Sequence, residues 1–246
     1  MRIDILTLFP EFFESPLNQS MLRRAQALGK VSFRVLNLRD YANDRHKVTD
    51  DRPFGGGPGM VMKPEPLVAA IRRVREEDPD TRVMMLTPSG HLFNQEMAVE
   101  LAQTPGLLLV CGHYEGVDER VRYFIDAEIS LGDFILTGGE IPALVVVDAV
   151  TRLIPGVLGG EGATEEESFQ TGLLEYPHYT RPRDFEGLTV PEVLLCGDHA
   201  RIARWRREQA LRLTQSLRPD LLKKADLSSE DQEFLTAISA ETGKDR

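Results

Sequence analysis

The apolar positions along the chain follow two periods. Ile3 to Leu8 reads as a strand, and Val31, Phe33 and Val35 alternate with polar neighbours as a half-buried strand does. Between them, Ser15-Pro16 opens a helix with an apolar stripe of Leu17, Met21, Ala25 and Leu28 and with Gly29 as its stop. Pro64 and Pro66 open another helix, in which Leu67, Ala70, Ile71 and Val74 recur at helical spacing. Three continuous apolar runs, Val83 to Thr87, Leu107 to Cys111 and Ala127 to Leu131, read as strands buried on both faces. Helical patterns separate them at Asn94 to Gln103 and Val117 to Phe124, and a further helix is expected over Ala143 to Leu153. This rhythm predicts an α/β fold with a mostly parallel sheet.

The character changes after Ile154. Gly156 to Gly162 is glycine-rich and Glu165-Glu166-Glu167 is acidic, so this stretch reads as a linker. The expected organisation is an α/β domain over 1–160, a flexible linker over 161–175 and a smaller, mainly helical domain over 176–246. Helix is expected from about Asp198, and Ser229 and Gln232 have capping-box spacing ahead of the last one. On a helical wheel, Arg201 to Arg218 is amphipathic. Ile202, Trp205, Leu213 and Leu217 take one side, and Arg201, Arg204, Arg207 and Arg212 the other. Arg206 falls among the apolar residues and reads as a snorkelling side chain.

Composition narrows the class. With 246 residues, 41% hydrophobic and 28% charged, the chain can bury a sizeable core and is not disordered throughout. The apolar run Ile141 to Val150 is too short to span a bilayer, and Met1-Arg2-Ile3-Asp4-Ile5 is not the pattern of a signal peptide. Two distant cysteines, Cys111 and Cys196, exclude a disulfide scaffold and a cysteine zinc site and fit a reducing cytoplasm. The net charge of −10 argues against nucleic acid. Yet residues 21–47 hold seven Lys/Arg against two acids, and residues 201–224 hold eight against two. These stretches are either a phosphate-binding surface or solvated helix faces.

The nucleotide fingerprints Gly-x-Gly-x-x-Gly and Gly-x4-Gly-Lys-Ser/Thr are missing, as are zinc motifs. The ends of the three buried runs stand out instead. They read Thr87-Pro88-Ser89-Gly90, Cys111-Gly112-His113-Tyr114-Glu115-Gly116, and Leu131 to Glu140 with Gly132, Gly138 and Gly139. Parallel strands bring such loops to one edge of the sheet, where α/β proteins bind ligands. A glycine-lined pocket without cationic anchors suits adenine and ribose better than a polyphosphate. Gly55 to Gly59, four glycines in five residues, reads as an anion nest, a mobile lid or a ligand-free turn cluster.

Taken in order, these motifs resemble the bacterial tRNA (guanine-N1)-methyltransferase family of the SPOUT superfamily. The matching stretches are Leu6 to Pro10, Gly55 to Met62, Cys111 to Arg120, Ile129 to Pro142, Pro177 to Pro182 and Leu188 to Pro191. The resemblance implies a deep trefoil knot in the α/β domain and a homodimer with active sites shared between subunits. It implies S-adenosylmethionine in the knot loops, contacted by Pro88, Gly112, Tyr114, Leu131, Gly132 and Asp133. Phe134, Ile135, Leu136, Gly138, Gly139 and Pro142 would complete that site. The implied substrate is tRNA, methylated on the guanosine immediately 3′ of the anticodon.

By the same resemblance, Arg152 is the catalytic arginine and Glu167 the catalytic base, with Glu115 organising the guanine pocket. Arg201, Arg204 and Arg207 would contact tRNA. Divalent magnesium is associated with the family's activity, although no chelating cluster marks a site. The chain departs from the family pattern at Glu167, where aspartate is expected, at His113 for arginine, and at Phe54 and Phe134 for tyrosine. The alternatives are another SPOUT RNA methyltransferase with a different target base, or a non-enzymatic RNA-binding factor.

Overall fold

The computed structural model describes residues 1–159 and 167–242. The chain forms two compact units, Met1–Gly159 and Gly160–Arg246. The first is built on strands β1 (Arg2–Thr7), β2 (Ser32–Asn37), β5 (Thr81–Leu92), β6 (Gly106–Cys111) and β7 (Ala127–Ser130). They form one sheet in the order β2-β1-β6-β5-β7, and every neighbouring pair is parallel. Two-residue strands β3 (Asp50–Asp51) and β4 (Val61–Met62) pair separately, at the two ends of the glycine-rich segment.

Alternation along the strands feeds two cores. Ile3, Ile5, Met84, Leu86, Leu107 and Leu109 face one side, where they meet helices α1 (Ser20–Ala27), α3 (Gln95–Ala102) and α4 (Glu140–Thr151). Leu6, Val83, Met85, Leu108 and Val110 face the other and pack against Leu67, Ile71 and Val74 of α2 (Pro64–Glu77). All six residues of β6 are buried, as expected for a central parallel strand covered on both faces.

Three local expectations change. The segment Leu17 to Leu28 is not one helix: Pro16–Asn18 forms a 3-10 turn, and α1 starts at Ser20. Glu119–Phe124 is a 3-10 helix rather than an α-helix. It buries only Val121 and leaves Tyr123 exposed, too narrow an apolar face to hold a longer helix. The run at Val83 does not end at Thr87. Its pairing with β7 shifts between Leu86 and His91, so Thr87 to Gly90 bulge out and the strand resumes. Gly90 makes this possible, because a Cβ there would lie 2.5 Å from the backbone nitrogen of Ile129.

In the second unit, α5 (His199–Leu217), α6 (Pro219–Leu222) and α7 (Ser229–Thr242) follow a small hairpin of β8 (Asp184–Phe185) and β9 (Leu188–Thr189). Asp198 caps α5, accepting from the backbone N–H groups of Ala200 and Arg201. The core is Leu173, Ala210 and Leu211, with Leu222, Phe234 and Leu235 around it. Leu173 lies within the stretch read as linker, whose residues 160–166 fall outside the described residues. Two details of the helical reading shift. Leu217 is exposed, and the buried face of α5 is Ala210, Leu211 and Thr214. The capping box lies one residue earlier: Asp231 accepts from the Ser228 N–H at 2.9 Å, and Ser228 Oγ accepts from the Asp231 N–H at 3.2 Å.

Candidate functional site

The C-terminal ends of β5, β6 and β7 open onto one cleft of about 480 Å³. That volume falls within the range of about 300–1,000 Å³ typical of small-molecule sites. Pro88 enters from the bulge of β5. Gly112, Tyr114 and Glu115 enter from the loop after β6. Leu131, Gly132, Phe134, Ile135, Leu136, Gly138, Gly139 and Pro142 enter from the segment between β7 and α4. Of the expected donor-site residues, only Asp133 is absent from this lining. The cleft belongs entirely to the first unit.

Much of the wall is main chain. The Gly139 N–H donates to the Gly112 carbonyl at 2.8 Å, and His113 bridges Gly138, so the two glycine loops are stitched together. A Cβ on Gly139 would lie 2.6 Å from Cys111 Cα, so only glycine permits this approach. The apolar side chains around the opening stay exposed: Tyr114 at 42%, Phe134 at 53% and Ile135 at 80%. Tyr114 also has φ +59°, in the left-handed region that side chains with a Cβ rarely adopt. Such strain clusters at functional sites.

The ionisable lining is mostly acidic. Glu115, Asp118 and Glu119 face one cation, Arg122. Arg122 is itself engaged, donating to Glu119 Oε1 at 2.9 Å and Ser89 Oγ at 3.1 Å and lying 2.8 Å from Glu128. The Arg120 guanidinium holds the Asp118 carboxyl below the usual carboxylate range. Beneath the cleft, burial pushes the Cys111 thiol well above its ordinary value, with Glu140 adding to the effect.

Sequence reasoning missed Glu140, a buried acid at the start of α4. Its Oε1 accepts from Thr7 Oγ1 at 2.8 Å, and its Oε2 lies 3.9 Å from His113 Nδ1. Its only sequence signal is an acid in the first turn of a helix, which usually lies in solvent.

Arg152 caps the C-terminus of α4 in the first unit, its N–H donating to the Asp148 carbonyl. Glu167 belongs to the second unit and is partly buried, its carbonyl accepting from the Gln170 N–H. Glu165 and Glu166, its acidic neighbours, fall outside the described residues. The side chains of Arg201 and Arg204 are exposed on α5, with Arg204 donating to Glu208 at 3.0 Å. Arg207 is partly buried and bound to Asp231. Arg206 lies with its guanidinium 4.8 Å from the centre of the Tyr176 ring. Among the described residues, no group of three or more His, Cys, Asp or Glu is placed to hold a metal ion. No helix among them is long and apolar enough to cross a membrane.

A parallel sheet with a glycine-walled cleft at its C-terminal edge defines an α/β protein with a small-molecule site of mixed apolar and polar lining. The family model of tRNA (Guanine-1)-methyltransferase TrmD matches residues 1–224. The tRNA (guanine-N(1)-)-methyltransferase of Dictyoglomus turgidum is 57% identical over 241 residues, 98% of each chain. That of Geobacter sulfurreducens is 57% identical over 98% of this chain and 99% of its own. That of Chloroflexus aggregans is 57% identical over 100% of this chain and 96% of its own. The chain belongs to the tRNA (Guanine-1)-methyltransferase family and is an enzyme of that family.

Proposed function

We propose that the protein transfers a methyl group from S-adenosylmethionine to N1 of the guanosine immediately 3′ of the anticodon in tRNA. The observation that carries this reading is the cleft. Its volume, main-chain walls and exposed apolar rim fit an adenosine, and its acidic lining fits a ligand bearing a sulfonium and an ammonium. When bound, S-adenosylmethionine supplies a methyl group already activated by its sulfonium.

The protein's residues orient, shield and move a proton. Gly112, Leu131, Gly132 and Gly138 present backbone groups to the nucleoside, while Phe134, Ile135 and Leu136 exclude water. Pro88, Tyr114, Asp133, Gly139 and Pro142 complete the donor site. Guanine N1 is a poor nucleophile until it loses its proton, so a base must lie within hydrogen-bond reach of it. Glu167 takes that proton. Its side chain is one methylene longer than the aspartate of the family pattern and keeps the same chemistry. Arg152 faces the exocyclic oxygen, where negative charge develops as the proton leaves. Glu115 organises the guanine pocket, and Arg201 and Arg204, with Arg207 beside them, contact the phosphates of the tRNA.

The proposal includes the knot of the SPOUT fold, supported by the return of the chain after β7 to the end of β6 at the His113–Gly138 bridge. It includes the smaller, mainly helical tRNA-binding domain. It includes a homodimer, supported by Ile141 and Val145 exposed on α4 and by Phe9 and Phe12 exposed at the 3-10 turn Pro10–Phe13, which packs against that helix. It places the enzyme in the cytoplasm. Divalent magnesium enters as an addition to the assay, with no residue assigned to it.

The test is transfer of labelled methyl to tRNA transcripts carrying guanosine or adenosine 3′ of the anticodon, with the product mapped by nuclease digestion and mass spectrometry. 1-Methylguanosine formed only with the guanosine transcript is the expected result. Methylation of another base would point to a different SPOUT activity. Donor binding without any product would point to an RNA-binding factor.

A further inference from the structure

Under the cleft, two polar side chains meet across the seam of the glycine loops. Glu140 is 8% exposed at its side chain. One oxygen is fixed by the Thr7 hydroxyl at 2.8 Å, and that hydroxyl is itself held by the Phe9 N–H at 2.9 Å. The other oxygen, Oε2, faces His113 Nδ1 at 3.9 Å. That Nδ1 is buried and has no hydrogen-bond partner among the described residues. The ring is held on both sides, with centroids 4.9 Å from Phe9 and 4.9 Å from Tyr114. The His113 N–H donates to Met62 Sδ at 3.1 Å, which fixes the backbone as well. Gly138 packs against this gap: a Cβ there would lie 2.5 Å from His113 Nδ1 and would also meet the Glu140 carboxylate.

We propose that His113 and Glu140 are a positioning pair that clasps the Gly112–Tyr114 loop to the Gly138–Gly139 loop and so sets the width of the methyl-donor cleft. The inference rests on the reading of that cleft as the donor site. With a proton on Nδ1, the ring donates to Oε2 and the two loops are drawn together. A cationic ring adds charge attraction inside a buried site, where it acts with little screening. A neutral ring keeps the hydrogen bond only in its Nδ1–H tautomer and without the added charge; in the other tautomer a lone pair faces the carboxylate and the loops are pushed apart.

Few other ionisable groups surround the ring. Helix α4 contributes Glu140, and β6 contributes Cys111, whose thiol stays neutral because its titration lies well above the usual range. The histidine's own loop contributes Tyr114, packed edge-on, and Glu115, which is turned against Gly59. Thr7, Phe9 and Met62, which touch the pair from three other segments, have uncharged side chains. Protonation of the ring therefore tightens the clasp, because it secures a donor on Nδ1 and adds charge opposite the Glu140 carboxylate.

The experiment is calorimetric binding of S-adenosylmethionine to the full chain from pH 5.5 to 8.5. Wild-type protein should bind the donor more weakly at pH 8.5 than at pH 5.5, as protons leave the ring. His113→Phe keeps a ring and removes the nitrogens, and should bind about ten-fold more weakly at pH 6 with a flat profile. His113→Asn places an amide N–H near the position of Nδ1 and should recover much of the affinity, also with a flat profile. Glu140→Gln keeps an acceptor for Thr7 and should flatten the profile while His113 remains.

His113→Phe with wild-type affinity and pH dependence would overturn the clasp and leave the donor site standing. No donor binding by wild-type protein at any pH would overturn the donor-site reading, and the clasp with it.

Discussion

Arg207 of α5 holds Asp231 of α7 through two hydrogen bonds, 3.2 Å from Nε and 2.8 Å from Nη2. The same carboxylate closes the capping box of α7 through Ser228. One acid thus joins two helices and starts one of them. Arg207 is accordingly a structural side chain of the second unit before it is a contact for tRNA. Its replacement by Ala should destabilise that unit by about 1–3 kcal/mol, the scale of hydrogen bonds to charged groups. The single tryptophan, Trp205, lies on α5, so thermal unfolding followed by its fluorescence measures this directly. An unchanged midpoint would refute the structural role.

The same pair sets a pH dependence. Arg207, first, and the hydrogen bonds from Ser228 lower the Asp231 carboxyl in the folded protein. A carboxyl lowered on folding stabilises the protein above its unfolded value, about 3.9. That contribution is lost as pH falls through the folded value. The second unit should therefore weaken below about pH 4, and Asp231→Asn should weaken it at neutral pH and remove part of the acid-dependent loss. Parallel midpoint-against-pH curves for the two proteins would count against it.

Arg201 and Arg204 are more exposed and should behave as phosphate contacts. Each change to Ala should weaken tRNA binding about equally for all tRNA sequences and lower the log–log salt slope by about 1. An unchanged slope in both variants would move the tRNA surface away from α5.

Glu167→Gln should reduce turnover by about 10²–10⁴, the usual share of a general base, while S-adenosylmethionine binding stays near normal. Undiminished turnover would transfer the role to Glu165 or Glu166.

Gly138→Val should abolish donor binding. The added Cβ points inward, into His113 and Glu140, and would force the two glycine loops apart. Calorimetry showing wild-type affinity would refute the packing of Gly138 against His113 and Glu140.

The sheet was legible because buried parallel strands leave continuous apolar runs, and the cleft because glycines mark where main chains must pass closely. What escaped was set by contacts distant in sequence. Thr87 to Gly90 carries turn residues and reads as the end of a strand, but the approach of Gly90 to Ile129 lets β5 continue. The buried face of α5 includes Ala210 and Thr214, which a hydropathy stripe undervalues beside Leu217. Ser229 and Gln232 have the right spacing for a capping box, yet Ser228 and Asp231 form it because Arg207 fixes the aspartate. Glu140 has a solvent residue's sequence signature and owes its burial to Thr7, 133 positions earlier.

The cleft outlined by Gly112, Gly138 and Gly139 is drawn mostly in backbone atoms, packed against Cys111 and His113. An inhibitor that reads those amides and carbonyls would meet a surface that codon changes cannot redraw without disturbing the fold. Escape from such a compound would have to come through the exposed rim at Phe134 and Ile135, which marks where a durable inhibitor should make the fewest contacts.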